Sequence, residues 1–218
     1  TEDNRMVEDV SVELIGGPFE SQMTNDDGEY AFPEMSFGGT YMVKPTKDID
    51  YLNGVSTLDL IGIQRHIIGT DKLDSPYKMI AADINRSGDI TSVDLLELRK
   101  LILGLYTELP DNTSWRMVNS DFIFVDQLNP FVYNIPEEYE IFNFTESMDI
   151  DFVGVKVGDV NNSVVANLAD ANIDARSARN FSYNVIESKH EKGSIVNLTF
   201  SSDELSDVSG LQNTIKVN

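Results

Sequence analysis

One segment of this chain is used twice, and that repeat limits what the chain can fold into. Asp48-Ile-Asp-Tyr-Leu-Asn-Gly-Val-Ser-Thr-Leu-Asp59 runs into Leu60-Ile-Gly-Ile-Gln-Arg-His-Ile-Ile-Gly69. An offset of 35 residues carries it onto Asp83-Ile-Asn-Arg-Ser-Gly-Asp-Ile-Thr-Ser-Val-Asp94 and Leu95-Leu-Glu-Leu-Arg-Lys-Leu-Ile-Leu-Gly104. The match holds position by position: Asp48 and Asp83, Asp50 and Asn85, Ser56 and Thr91, Asp59 and Asp94, Gly69 and Gly104. Self-similarity at a fixed spacing means one supersecondary unit built twice. The second half of each copy is helical, because Leu60, Ile63 and Ile67 recur at i, i+3 and i+7, as do Leu95, Leu98 and Ile102. One short amphipathic helix cannot bury its own apolar face, so each stripe is the cover for the other.

The first half of each copy carries chemistry. In the second copy, oxygen side chains fall at loop positions 1, 3, 5, 9 and 12 (Asp83, Asn85, Ser87, Thr91, Asp94), with Gly88 at position 6. This is the ligand spacing of an EF-hand-type calcium loop, where a glycine makes the sharp turn and the last carboxylate closes the cage. In the first copy, Leu52 stands at position 5, Asn53 at position 6, and Gly54 has slipped to position 7. One side-chain ligand is missing there, although Asn still tolerates a left-handed turn. The second site is expected to bind more tightly, with water or another segment filling the gap in the first. A metal-free reading also exists. Ser56-Thr-Leu-Asp59 and Thr91-Ser-Val-Asp94 are capping boxes, but these do not account for Asp83, Asn85, Ser87 and Gly88 upstream.

The duplicated loop-helix, the Asp at position 12 and the spacing of the copies resemble dockerin modules, over about residues 47–106. The resemblance implies calcium as cofactor. It implies as ligands Asp83, Asn85, Ser87, the backbone of Asp89, Thr91 and Asp94, and in the first loop Asp48, Asp50, the backbone of Gly54, Ser56 and Asp59. It also implies a cohesin-like partner, or a neighbouring surface domain. Dockerins often read their partner with a Ser/Thr pair at loop positions 10 and 11. Here those positions are Thr57-Leu58 and Ser92-Val93, so half of each pair is present, while Arg65 and Arg99-Lys100 keep part of the basic pattern. Calcium therefore carries over better than partner recognition, and a fixed structural joint is as natural a use as a plug.

The rest of the chain reads as β-structure and connections. Residues 1–46 contain Val10-Ser-Val-Glu-Leu-Ile, a hairpin signal at Asp27-Gly28 and a last strand closed by Pro45. Asp27-Gly-Glu-Tyr-Ala-Phe-Pro-Glu-Met-Ser-Phe-Gly-Gly-Thr-Tyr-Met-Val resembles the end of a carboxypeptidase-regulatory-like or collagen-adhesin B-type β-sandwich, a spacer domain of surface and secreted proteins. Residues 107–162 are irregular and aromatic-rich, and are expected to pack on the calcium module, since structureless connections of that length are uncommon. Exposed rings there would suit carbohydrate stacking, a weaker reading. Asp159-Val-Asn161 has the spacing of loop positions 1 and 3. It is too short for a third site, but could dock near the first loop and lend an oxygen. Residues 163–178 read as a linker. Residues 179–218 read as the start of another β-domain, resembling the first strands of a cohesin-like sandwich. The expected fold class is thus α+β multidomain: a partial β-sandwich, a paired loop-helix module and the start of a further β-sandwich.

Composition narrows the function. The 218 residues carry a formal net charge of −21 and no cysteine. A nucleic-acid binder needs basic stripes, and none is visible. Thiolate metal sites are excluded. No apolar run reaches the roughly 18 residues that span a bilayer. An acidic surface suits secreted, calcium-rich settings, where bound cations relieve self-repulsion. The chain begins with Thr and shows no charged-then-apolar leader, as if the start had been removed. Only two histidines occur, His66 and His190, and no nucleophile elbow, phosphate loop or paired-histidine motif accompanies them. Glu137, Glu138, Glu140 and Glu146 could supply the paired carboxylates of glycoside hydrolysis, but a solvated acidic rim fits better. The expectation is a non-enzymatic, calcium-binding structural or interaction segment of a large bacterial cell-surface or secreted protein. The alternatives are a dockerin that recruits a cohesin, or an accessory module of a polysaccharide-degrading enzyme.

Overall fold

A computed structural model describes residues 1–19 and 21–167, together with the paired strands Asn184–Val185 and Phe200–Ser201. The chain divides into two units, Thr1–Ile173 and Asp174–Asn218. Within 179–218, read as the start of a β-domain, Asn184 pairs antiparallel with Ser201 and Val185 with Phe200. The remainder of 168–218, including His190, lies outside the described residues.

The first unit is built on two sheets. Strands β1 (Ser11–Ile15), β2 (Gln22–Met23), β3 (Tyr41–Thr46) and β5 (Tyr139–Ile141) form an antiparallel sheet in the order β2-β1-β3-β5. Period-two alternation sends Val12, Leu14, Tyr41 and Val43 into one core. The hairpin signal at Asp27-Gly28 yields a turn, not a hairpin. The Asn25 side-chain oxygen accepts from the N–H groups of Asp27 (3.0 Å) and Glu29 (2.8 Å), and Gly28 takes φ 71°. Residues 30–32 form no strand after it, because Tyr30 and Phe32 instead pack as rings against the sheet's core. The last strand also runs one residue past Pro45, to Thr46.

Three helices follow: α1 (Thr57–Ile68), α2 (Pro76–Ala82) and α3 (Ser92–Ile102). The repeat foretells α1 and α3. Each starts at a capping box and stops where a glycine takes the left-handed conformation, Gly69 at φ 77° and Gly104 at φ 69°. Helix α2 is too short to show a period. Its signal is local: Ser75 caps the N–H groups of Tyr77 and Lys78, and Pro76 occupies the first turn.

Strands β4 (Trp115–Asn119) and β6 (Phe152–Lys156) pair antiparallel, Trp115 opposite Lys156 and Met117 opposite Gly154. This ribbon is the wall between two cores. Trp115 and Met117 join the β-sheet core, whereas Val118 and Val155 join the helical core of Ile63, Ile80, Ile84, Leu98 and Leu101. Residues 107–162 thus complete the module instead of merely covering it. Trp115 and Phe144 are buried, and Phe122, Phe124 and Phe131 pack on the helical core. Tyr133 and Phe142 are exposed. Glu137 is no solvated rim carboxylate, because its Oε1 accepts from both Arg116 (2.6 Å) and Arg86 (2.8 Å).

Candidate metal centre

Helix α2 ends on Asp83, which serves as its C-cap, so the helix places the first residue of the second loop. The Asp83 carboxylate organises the turn. Oδ1 accepts from the N–H of Ser87 at 2.8 Å, and Oδ2 from the N–H of Gly88 at 2.9 Å. Arg86 (φ 55°) and Gly88 (φ 82°) supply the two left-handed steps that fold the chain back over the carboxylate. At the far end, Asp94 Oδ2 accepts from the N–H of Thr91 at 2.8 Å, completing the cap of α3. Its Oδ1 reaches across the loop to the N–H of Asn85 at 3.3 Å. The same carboxylate is therefore both helix cap and loop closure. Asn112 steadies the site from outside, donating to the carbonyl of Asp83 at 3.0 Å.

This donor set fits calcium. Oxygens that share one cation at 2.3–2.6 Å sit roughly 3 Å from each other. Ser87 Oγ lies 3.4 Å from Asp83 Oδ1 and 3.1 Å from the Asp89 carbonyl, and Thr91 Oγ1 lies 3.2 Å from Asp94 Oδ2. Among the described residues no three carboxylate or imidazole side chains converge as a metal group. Two carboxylates filled out by amide, hydroxyl and carbonyl oxygens are the hard-donor pattern of a calcium site, and their combined charge matches the ion. Asp83 is 1 % exposed and Asp94 0 %. Among the described residues, neither forms a salt bridge. Burial raises the Asp83 pKa, with the Asp94 charge adding to it, against the downward pull of the Gly88 and Ser87 amides and Arg116. Buried carboxylates without a cation are costly, and a divalent ion removes that cost.

The first loop keeps the second half of this arrangement and loses the first. Ser56 caps α1, and Asp59 Oδ2 accepts from the Ser56 N–H at 2.8 Å. The residues expected at its front make other contacts. Asp48 Oδ1 accepts from the N–H of Ser114 at 2.7 Å and from the hydroxyl of Tyr51 at 2.6 Å. Asp50 is exposed, with φ 52°. The ribbon holds this stretch in place. Lys156, 4 % exposed, donates to the carbonyls of Tyr51 and Ser114 at 3.3 Å each. Burial drives its amine down to about 7, against the upward pull of Asp159, Asp50 and Asp48.

The segment after β6 occupies the vacated place. Val160 donates its N–H to Asp59 Oδ1 at 3.0 Å. Asn53 makes a paired contact with Val165, donating to its carbonyl at 2.8 Å and accepting from its N–H at 3.0 Å. Ser163 Oγ donates to the Gly54 carbonyl at 2.7 Å. Gly54 (φ 77°) lies so close that a Cβ there would fall 2.5 Å from the Cα of Val164. Asp159 is 3 % exposed and accepts from the N–H groups of Ser163 (2.9 Å) and Val164 (2.6 Å). Burial raises its pKa. Burial, with the Asp159 charge beside it, pushes Asp59 up to about 6. Residues 163–167, read above as the start of a linker, are therefore fixed, with Val164 and Ala166 in the β-sheet core. Asn53 and Gly54 are not a damaged turn but the surface on which this segment rests. The signal for it was present in Asp159, Asn161 and Ser163, which repeat the spacing of Asp83, Asn85 and Ser87.

His66 Nδ1 accepts from the N–H of Leu73 at 3.0 Å, and burial, with Lys72 nearby, lowers its pKa.

The family model of the dockerin type I domain matches residues 47–103. That stretch covers both loops and helices α1 to α3, and it supports the dockerin resemblance for that part of the chain. No curated protein and no solved structure matches the chain.

Proposed function

We propose that this chain is a non-enzymatic segment of a large secreted or bacterial cell-surface protein, in which a calcium-loaded dockerin-type helical pair acts as a fixed structural joint. Dockerin domains suggest a docking or structural role in multidomain proteins and occur in extracellular or cell-surface proteins. Among the described residues, no helix is long and apolar enough to cross a membrane. One observation carries the joint reading: the core of the helical pair is not closed on itself. Val118, Val155, Val157 and Val160 complete it, and the ribbon they come from also walls the β-sheet core. In the second loop the ligands are Asp83, Asn85, Ser87, the Asp89 carbonyl, Thr91 and Asp94. Binding to a site absent from the unfolded chain adds directly to folding free energy.

The test is excision. Residues 47–106 alone in calcium should lack cooperative unfolding, or melt well below the full chain. An excised module as stable as the full chain would make it a freestanding plug.

A docking role for the same module is favoured by a different observation. Leu58 and Ile68 on α1, and Val93, Leu96 and Leu103 at α3, remain exposed, as do Arg65 and Arg99 on the same helices. Dockerin domains typically bind cohesin partners. Calcium-dependent binding of the full chain to a purified cohesin would support that reading, and Leu58→Asp with Val93→Asp should abolish it.

A further inference from the structure

We infer that the first calcium site is composite: its front half comes from Asp159, Asn161 and Ser163, and only its back half from the loop before α1. This rests on the calcium reading of the second loop and replaces Asp48 and Asp50 as ligands of the first.

The second loop supplies the template, and the composite half repeats most of its hydrogen bonds; it differs at position 6, where Gly88 is left-handed and Val164 is not, and in which opening amide position 12 accepts. Asp83 Oδ1 accepts from the N–H four residues on, and Oδ2 from the N–H five residues on; Asp159 does the same with Ser163 and Val164. Position 4 is left-handed in both, Arg86 at φ 55° and Asn162 at φ 57°. The serine at position 5 donates to the position 7 carbonyl in both: Ser87 to Asp89 at 3.1 Å, Ser163 to Gly54 at 2.7 Å. It also lies at a similar distance from the position 1 carboxylate, 3.4 Å in one and 3.5 Å in the other. At position 12, one carboxylate oxygen caps its helix and the other accepts from the opening residues, from Asn85 for Asp94 and from Val160 for Asp59. The chain break falls between positions 6 and 7. There Val164 and Gly54 abut so closely that only a glycine fits.

The chemistry of the two sites is then the same. Each offers two buried aspartates, an asparagine, a serine, a backbone carbonyl and a hydroxyl at the helix cap. The contiguous alternative lacks these features. Asp48 is bonded to Ser114 and Tyr51, and position 5 would be an exposed leucine. The mechanical consequence also differs. A contiguous site would close a local loop, whereas this one links Asp59 to a segment about 100 residues away, Val160 being 101 residues from it. The ion thus fastens the start of α1 to the strand leaving the ribbon.

Calcium titration by calorimetry on the metal-stripped full chain tests this, with variants Asp159→Asn, Asp48→Asn and Asp83→Asn. Wild type should take up two ions. Asp159→Asn should weaken one of them by at least the ~10-fold seen when outer-sphere partners are altered, leaving the other. Asp48→Asn should leave both affinities within about twofold. Two unaltered sites in Asp159→Asn, or loss of one in Asp48→Asn, would overturn the composite site. A single wild-type site that Asp83→Asn removes would also overturn it while leaving the calcium reading intact. No calcium binding by wild type would sink both. Amide NMR covers the case in which Asp159→Asn misfolds. In wild type, the Ser163 and Val164 N–H signals should shift in the same calcium step as Ser56. If they stay unmoved while Ser56 shifts, the segment takes no part.

Discussion

Single residues carry much of the geometry, and Gly54 is the most constrained. Its φ of 77° and the Val164 backbone behind it leave no room for a side chain. Gly54→Ala should cost about 2 kcal/mol or more, combining left-handed strain with a backbone clash. Gly104 is the control. It has φ 69° but nothing within 4 Å of a Cβ, so Gly104→Ala should cost only about 1 kcal/mol of left-handed strain. Urea denaturation of the two variants checks the difference, and equal losses would contradict the close approach. His66 gives a pH signature. Its neutral ring accepts a backbone N–H, and its pKa is lowered from the usual 6.5. As pH falls through 6.5 the unfolded chain takes up the proton first, so this contribution to stability is lost on acidification. An NMR titration should place the His66 midpoint below 6.5; a midpoint above it would contradict the bond.

At the scale of elements, capping and metal binding use the same residues but separate under EDTA. Thr91→Ala removes the N-cap of α3 and should cost about 1 kcal/mol without calcium. Asp83→Asn should change sign with conditions. Without calcium it removes a buried charge lying near Asp94, so stability should hold or rise. With calcium it removes a ligand, and the melting temperature should fall. Thermal melts of both variants in EDTA and in calcium check this, and a loss for Asp83→Asn in EDTA would contradict it. Helices α1 and α3 were legible in the sequence because each joins a periodic apolar stripe to a capping box and a terminal glycine. Helix α2 was not, since seven residues show no period and only Ser75-Pro76 announces it. The hairpin signal at Asp27-Gly28 gave no second strand for a tertiary reason: Tyr30 and Phe32 pack against a core formed by other strands.

At the scale of the whole molecule, the module's edges were the least legible feature. The repeat marks residues 47–106 as a unit, yet the core that stabilises it extends to Val160, and the segment packed on its first loop comes from the same distant stretch, 159–165. No local pattern reveals that. Leu52-Asn53-Gly54 reads as a degraded calcium turn until the docking of Val164 and Val165 explains both Asn53 and Gly54. The turn of the second loop was legible in the sequence, since Asp83, Ser87, Gly88 and Asp94, which hold it together, stand at a contiguous spacing. The charge of −21 belongs to this scale too. Two bound ions would offset part of that self-repulsion, so calcium should stabilise the chain beyond the loops themselves.

A thermal melt of the full chain in millimolar calcium and in EDTA reads out whether calcium holds this fold together. An ion present at 1,000 times its dissociation constant adds about 4 kcal/mol per site. For a chain of this size that corresponds to an upward shift of roughly 10 °C. The expected shift is at least that size, and it is largely abolished in the double variant Asp83→Ala, Asp159→Ala. Equal melting temperatures in calcium and in EDTA would contradict it and reduce the repeat to two capped helices.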